Sequence, residues 1–117
     1  MEITTSQCND VSVIELTGRL DLASGTALKQ RVKELFDKEA TSFHINLAGV
    51  EFINSSGLGT LVSIMKEVRL RKGRLTISDL ASYVQEIFDI TQLSHIFEIF
   101  GTQEEALGSY KTASPVG

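Results

Sequence analysis

The sequence predicts an α/β domain built on a mixed, mostly parallel sheet of four to five strands, with helices packed mainly on one face. Two strand-like runs are followed by helix and strand patterns that alternate to the end of the chain. The connections between them are short, and right-handed crossovers over short connections give parallel neighbours. The run Phe43 to Leu47 alternates Phe43, Ile45 and Leu47 with His44 and Asn46, so this strand should be covered on one face and wetter on the other, with His44 on the solvent side.

Each element has its own signal. A short first strand near Ile3 to Gln7 turns at Asn9-Asp10 into Val11-Ser12-Val13-Ile14-Glu15-Leu16, a run rich in β-branched side chains. Its alternation slips between Val13 and Ile14, the mark of a bulge or of a strand covered on both faces. Leu28, Val32, Leu35 and Phe36 then recur with the period of a helix, started by Asp21 or Ser24. From Ser56 to Leu70, Leu58, Leu61, Val62, Met65 and Val68 mark a second helix, stopped by Gly73; Met65 and Val68 belong to its core stripe. Leu75 and Ile77 alternate in a strand. Ser78 or Asp79 caps a short helix with Leu80, Val84, Ile87 and Phe88 on one stripe, and Ile96 to Phe100 reads as a last strand. A short helix from about Thr102 to Leu107, stopped by Gly108, closes a domain of residues 1–108 and leaves a flexible tail, 109–117.

Composition narrows the function. With 117 residues, 42% of them hydrophobic, the chain holds one compact domain. A net charge of −4 argues against a nucleic-acid coat; the one basic cluster, Lys66, Arg69, Arg71, Lys72 and Arg74, complements a helix C-terminus. Cys8 is alone, and His44 and His95 stand far apart, so neither a disulfide nor a metal-ligand spacing is present and no cofactor is expected. No apolar run approaches the ~18 residues of a membrane span, so a cytoplasmic protein without membrane insertion is expected.

The chemically addressable residues gather in Asn54-Ser55-Ser56-Gly57-Leu58-Gly59, between an apolar strand-like run and a helix. Such seams hold ligands in α/β proteins because helix-start amides are unpaired and the dipole favours negative charge. The loop lacks the glycine-lysine pattern of a phosphate cradle. It also fails the nucleophile-elbow pattern, since Ile53 stands where a glycine is required, and no His-Asp pair is placed to activate a hydroxyl. Its formal glycosylation triplet is irrelevant in a cytoplasmic chain. Helix capping by Ser55 or Ser56 accounts for part of the loop. It leaves unexplained two glycines in a first turn, each costing up to ~1 kcal/mol against alanine, so something should approach that backbone closely. An exposed serine at a helix start can also accept a phosphoryl group without upsetting the fold.

Gly18-Arg19-Leu20-Asp21 followed by Leu47-Ala48-Gly49-Val50-Glu51-Phe52-Ile53-Asn54-Ser55-Ser56-Gly57-Leu58-Gly59 resembles the STAS domain, specifically the stand-alone anti-sigma-factor antagonists of bacteria. The resemblance implies a binding protein rather than an enzyme. Its partners would be an anti-sigma factor that is also a serine kinase of the histidine-kinase-like ATPase type, and a serine phosphatase that reverses the modification. It places phosphorylation at Ser55, makes Ser56 the capping neighbour, and assigns Asp21, Asn54, Ser55, Ser56, Gly57, Leu58 and Gly59 to the contact surface; a monomer is expected because no apolar stripe is evident beyond that surface. Asp21 also reads as a plain helix cap. The family usually has aspartate before the first serine and often another in the preceding strand. Asn54 and Asn46 stand there in this chain, keeping the shape without the charge, which implies slower phosphorylation or an unusual kinase. Alternatives within the resemblance are a STAS subunit of a lipid-transport ABC assembly and a constitutive, non-phosphorylated binding module.

Overall fold

The computed structural model describes residues 1–112. Strand β1 (Glu2–Cys8) pairs antiparallel with β2 (Val11–Leu20) through the Asn9-Asp10 turn, where Asn9 takes the left-handed φ of 56° that asparagine tolerates. Then follow α1 (Leu22–Asp37), β3 (Ser42–Ile53), α2 (Ser55–Leu70), β4 (Arg74–Ser78), α3 (Ser82–Ile90), a 3-10 turn (Leu93–His95), β5 (Glu98–Phe100) and α4 (Gln103–Thr112). The sheet order is β1-β2-β3-β4-β5, with every pairing after the first parallel. This is the expected mixed sheet, with five strands. No helix among the described residues is long and apolar enough to cross a membrane.

One face of the sheet carries the main core. Ile14, Leu16, Phe43, Ile45, Leu47, Leu75 and Ile77 meet Leu28, Val32, Leu61, Ile64, Met65 and Val68, all buried, and each such side chain contributes ~1.5–3 kcal/mol. Met65 and Val68 are therefore core, as their spacing requires. Phe36 packs edge-on to Phe43, with ring centroids 5.2 Å apart, and closes one end of this layer. The helix stop after α2 differs in detail from expectation. Lys72, not Gly73, adopts the left-handed conformation, at φ 60°. Gly73 is needed for space instead: a Cβ there would stand 2.1 Å from the carbonyl oxygen of Thr41.

The other face corrects the reading of His44. Its side chain is fully buried, because α4 crosses this face. Nδ1 lies 2.8 Å from Thr76 Oγ1 and Nε2 lies 2.8 Å from Ser78 Oγ, while Tyr110 on α4 reaches Thr76 Oγ1 at 3.1 Å and donates to the carbonyl of Phe43. Burial pushes the His44 pKa down to about 4, against the opposing pull of Asp79. Helix α4 runs on through Gly108, where a Cβ would touch nothing, because Ser109 and Tyr110 still have partners on the sheet side. The expected domain end at 108 therefore moves: residues 109–112 are helical, and 113–117 of the expected tail lie outside the described residues.

Other boundaries shift for local reasons. Val11, Ser12, Val13 and Ile14 are all buried, so the slip in β2 reflects cover on both faces; its register irregularities come later, between Glu15 and Thr17 and between Gly18 and Arg19. The start of α3 is Ala81, without a side-chain cap, because Ser78 is buried in β4 and bonded to Asp79, itself left-handed at φ 60°.

Candidate functional site

Strands β2 and β3 end together: Leu20 pairs with Ile53, and the next residue of each, Asp21 and Asn54, is the N-cap of the helix that follows. Parallel strands thus deliver two helix N-termini side by side, and the amide of Asn54 donates to the carbonyl of Leu20 at 3.3 Å. One turn further in the helices touch. A Cβ on Gly25 would stand 2.4 Å from Thr60 Oγ1.

At the start of α1 the polar side chains are occupied by the cap. The Asp21 carboxylate accepts from the Ser24 amide at 3.1 Å, and the Ser24 hydroxyl accepts from the Asp21 amide at 2.9 Å and donates to the Arg19 carbonyl at 2.7 Å. This is a reciprocal capping box with serine in the third position. The Ser24 amide, then the Ser24 hydroxyl, hold the Asp21 carboxyl below its ordinary pKa, so it stays ionised over the positive helix end.

At the start of α2 the same geometry is built differently. Asn54 is extended, at φ −115° and ψ −176°, and its side chain accepts from the Gly57 amide at 2.9 Å while its carbonyl takes the Leu58 amide at 2.9 Å. Asn54 therefore caps the helix, and the expectation that Ser56 or Ser55 does so is corrected. Three consecutive cap-type residues leave the choice to the backbone, which turns helical at Ser55. Ser55 and Ser56 are exposed first-turn residues, and among the described residues neither hydroxyl makes a hydrogen bond.

The two glycines separate. Gly57 is buried, and a Cβ on it would lie 2.2 Å from the Leu20 carbonyl oxygen. The close approach expected of the loop is thus made, at this position, by the chain's own β2. Gly59 is exposed, and a Cβ there would touch nothing within 4 Å. The fold gains nothing from a residue that costs up to ~1 kcal/mol against alanine in a helix. Leu58 is half-buried against the core, so only part of it is available to a partner.

Of the residues expected here, Asp21, Asn54, Ser55, Ser56 and Gly59 share one end of the molecule and are open to it, with Gly57 beneath. One residue of this surface escaped sequence reasoning: Leu22, the first residue of α1, is 69% exposed. Its signal was available, since a leucine directly after the cap lies off the stripe of Leu28, Val32, Leu35 and Phe36. The site offers two free hydroxyls over a positive helix end. No imidazole bonds to either, and no cluster of three metal-ligating side chains occurs among the described residues.

The family model for the STAS domain matches residues 2–106. The chain is 26% identical to BtrV of Bordetella bronchiseptica over 115 residues, 98% of this chain and 99% of that protein. It is 31% identical to the anti-sigma-B factor antagonist of Bacillus subtilis over 96 residues, 82% of this chain and 86% of that one. The solved structure of the Bacillus cell fate determinant SpoIIAA in its phosphorylated form superposes with a TM-score of 0.73 at 22% identity, covering 93% of this chain and 99% of that one, a likeness of fold.

Proposed function

Because the chain belongs to the STAS domain family, we propose that it is an anti-sigma-factor antagonist: a regulatory binding protein that engages a kinase-type anti-sigma factor and is switched off by phosphorylation of Ser55. The names of relatives such as the Bacillus subtilis protein support the partner class, and a similarly folded protein in a phosphorylated form supports the modification. The observation that carries the reading is the Ser55 hydroxyl, exposed and unbonded in the first turn of α2, where neighbouring serines in the same fold position are not consumed by capping.

The chemistry is a phosphoryl transfer. Ser55 Oγ forms a bond to the γ-phosphorus of ATP held by the kinase, the bond to the ADP oxygen breaks, and the hydroxyl proton passes to a base of the kinase. The product adds a charge of about −1.5 to −2 over an uncompensated helix N-terminus, which the scaffold tolerates. A bound partner does not, because a doubly charged group in an interface brings like-charge and desolvation penalties. Reversing occupancy from mostly bound to mostly free takes about 5.5 kcal/mol, within reach of one such group. A serine phosphatase removes it by hydrolysis. Asn54 gives the kinase a hydrogen-bonding cap without a carboxylate, so transfer at Ser55 should be slow.

The test is to mix the purified protein with a purified kinase-type anti-sigma factor from the same organism and ATP, then map the product by mass spectrometry. Phosphate is expected on Ser55 alone; none there counts against the switch. Ser55→Asp should weaken binding, and Ser55→Ala should bind while resisting modification.

A further inference from the structure

Two features beside Ser55 have no role in folding, and they sit on adjacent helix starts. Leu22 leaves 69% of its surface in water. Gly59 occupies an exposed helical position with open space where its Cβ would be. A single exposed leucine is ordinary on a protein surface. Its setting here is not. Leu22 stands one turn before Gly25 on α1, and Ser56 one turn before Thr60 on α2, and Gly25 and Thr60 are the residues at which the helices touch. Leu22 and Ser56 therefore flank the same seam, and Gly59, one turn from Ser55, leaves the helix backbone uncovered by any side chain of its own.

Resting on the reading of Ser55 as the switch, we propose that Leu22 is the apolar anchor of the antagonist's contact with its anti-sigma factor, inserting into an apolar pocket of that partner while the partner's surface packs over Gly59. An exposed leucine beside a bare stretch of helix backbone suits a partner that offers an apolar pocket and packs closely over the helix next to it. Phosphate on Ser55 would then force a charged group against the rim of a water-excluding contact, which is where it disrupts most. A second copy of this chain is a poorer occupant. A twofold interface centred here would oppose Asp21 to Asp21 or place little apolar area beyond one leucine from each side, against the ~1,200 Å² or more of a stable interface.

The test measures binding of the full chain to the purified anti-sigma factor, with unfolding followed in parallel. Leu22→Ala should weaken binding at least about tenfold, as hot-spot residues do, with an unchanged unfolding midpoint. Leu22→Met should restore binding to within about threefold. Leu70→Ala, at a residue 79% exposed at the far end of α2, should change nothing. Gly59→Ala should raise the unfolding midpoint by a few degrees, about 4 °C, and still weaken binding. If Leu22→Ala binds like the parent while Ser55→Asp does not, the anchor is refuted and the switch stands. If Ser55→Asp also binds like the parent, the reading of the site fails with it. Dimerisation in sedimentation that Leu22→Ala abolishes would likewise overturn the proposal, by making a second copy the occupant.

Discussion

At the beginning of β3, His44 has both ring nitrogens engaged by hydroxyls and no exposed surface, whereas just beyond its end Ser55 and Ser56 hold their hydroxyls in water with nothing bonded to them. The strand thus carries one polar group that the fold uses completely, and the helix that follows it begins with two that the fold does not use at all. Among the described residues no buried side-chain polar atom lacks a partner, so the idle groups are confined to the surface. A polar group that stabilises nothing is free to be modified or bound at no cost to the scaffold, and that freedom distinguishes the serine loop from the rest of the sheet.

Substitution separates the two regions by size of effect. His44→Ala should be the most damaging, roughly 3–5 kcal/mol in a urea melt, because it opens a cavity and strips one partner each from Thr76 and Ser78. Acid should act on the same residue. The unfolded chain takes up a proton near pH 6.5 while the folded His44 holds out to about 4, so stability is full above pH 6.5 and falls as pH drops towards 4. The loss should reach about 3 kcal/mol, and His44→Gln should remove this part of the slope. At the other end of the strand the numbers shrink. Asn54→Ala should cost about 1 kcal/mol, the worth of a cap. Ser55→Ala should change stability by less than ~0.5 kcal/mol. A loss of 2 kcal/mol or more at Ser55 would mean that its hydroxyl is structural after all.

The distinction between these regions was legible in the sequence only on one side. The serine loop announces itself locally, through the run Asn54-Ser55-Ser56-Gly57-Leu58-Gly59, a grouping found nowhere else in the chain, and the main core follows from the periods of Leu28 to Phe36 and Leu58 to Val68. His44 could not be read correctly because its cover comes from Tyr110, far along the chain, in a helix that Gly108 appeared on sequence to end. Asn46 has the same origin: its side chain donates to Gln103 of α4 at 2.8 Å. The identity of the cap was hidden for the opposite reason. Asn54, Ser55 and Ser56 are all good caps, and only the pairing of Leu20 with Ile53 fixes which of them is still extended when the strand runs out. Gly57 required the same knowledge, since the atom it makes room for belongs to β2.

Strand order in the sheet follows order along the chain, from β1 to β5. The polypeptide can therefore assemble by accretion at one moving edge as it leaves the ribosome, each strand docking on the last without threading between earlier ones. Residues 1–70 supply both strands and both helices of the serine surface, and the segment that buries His44 comes after them in the chain.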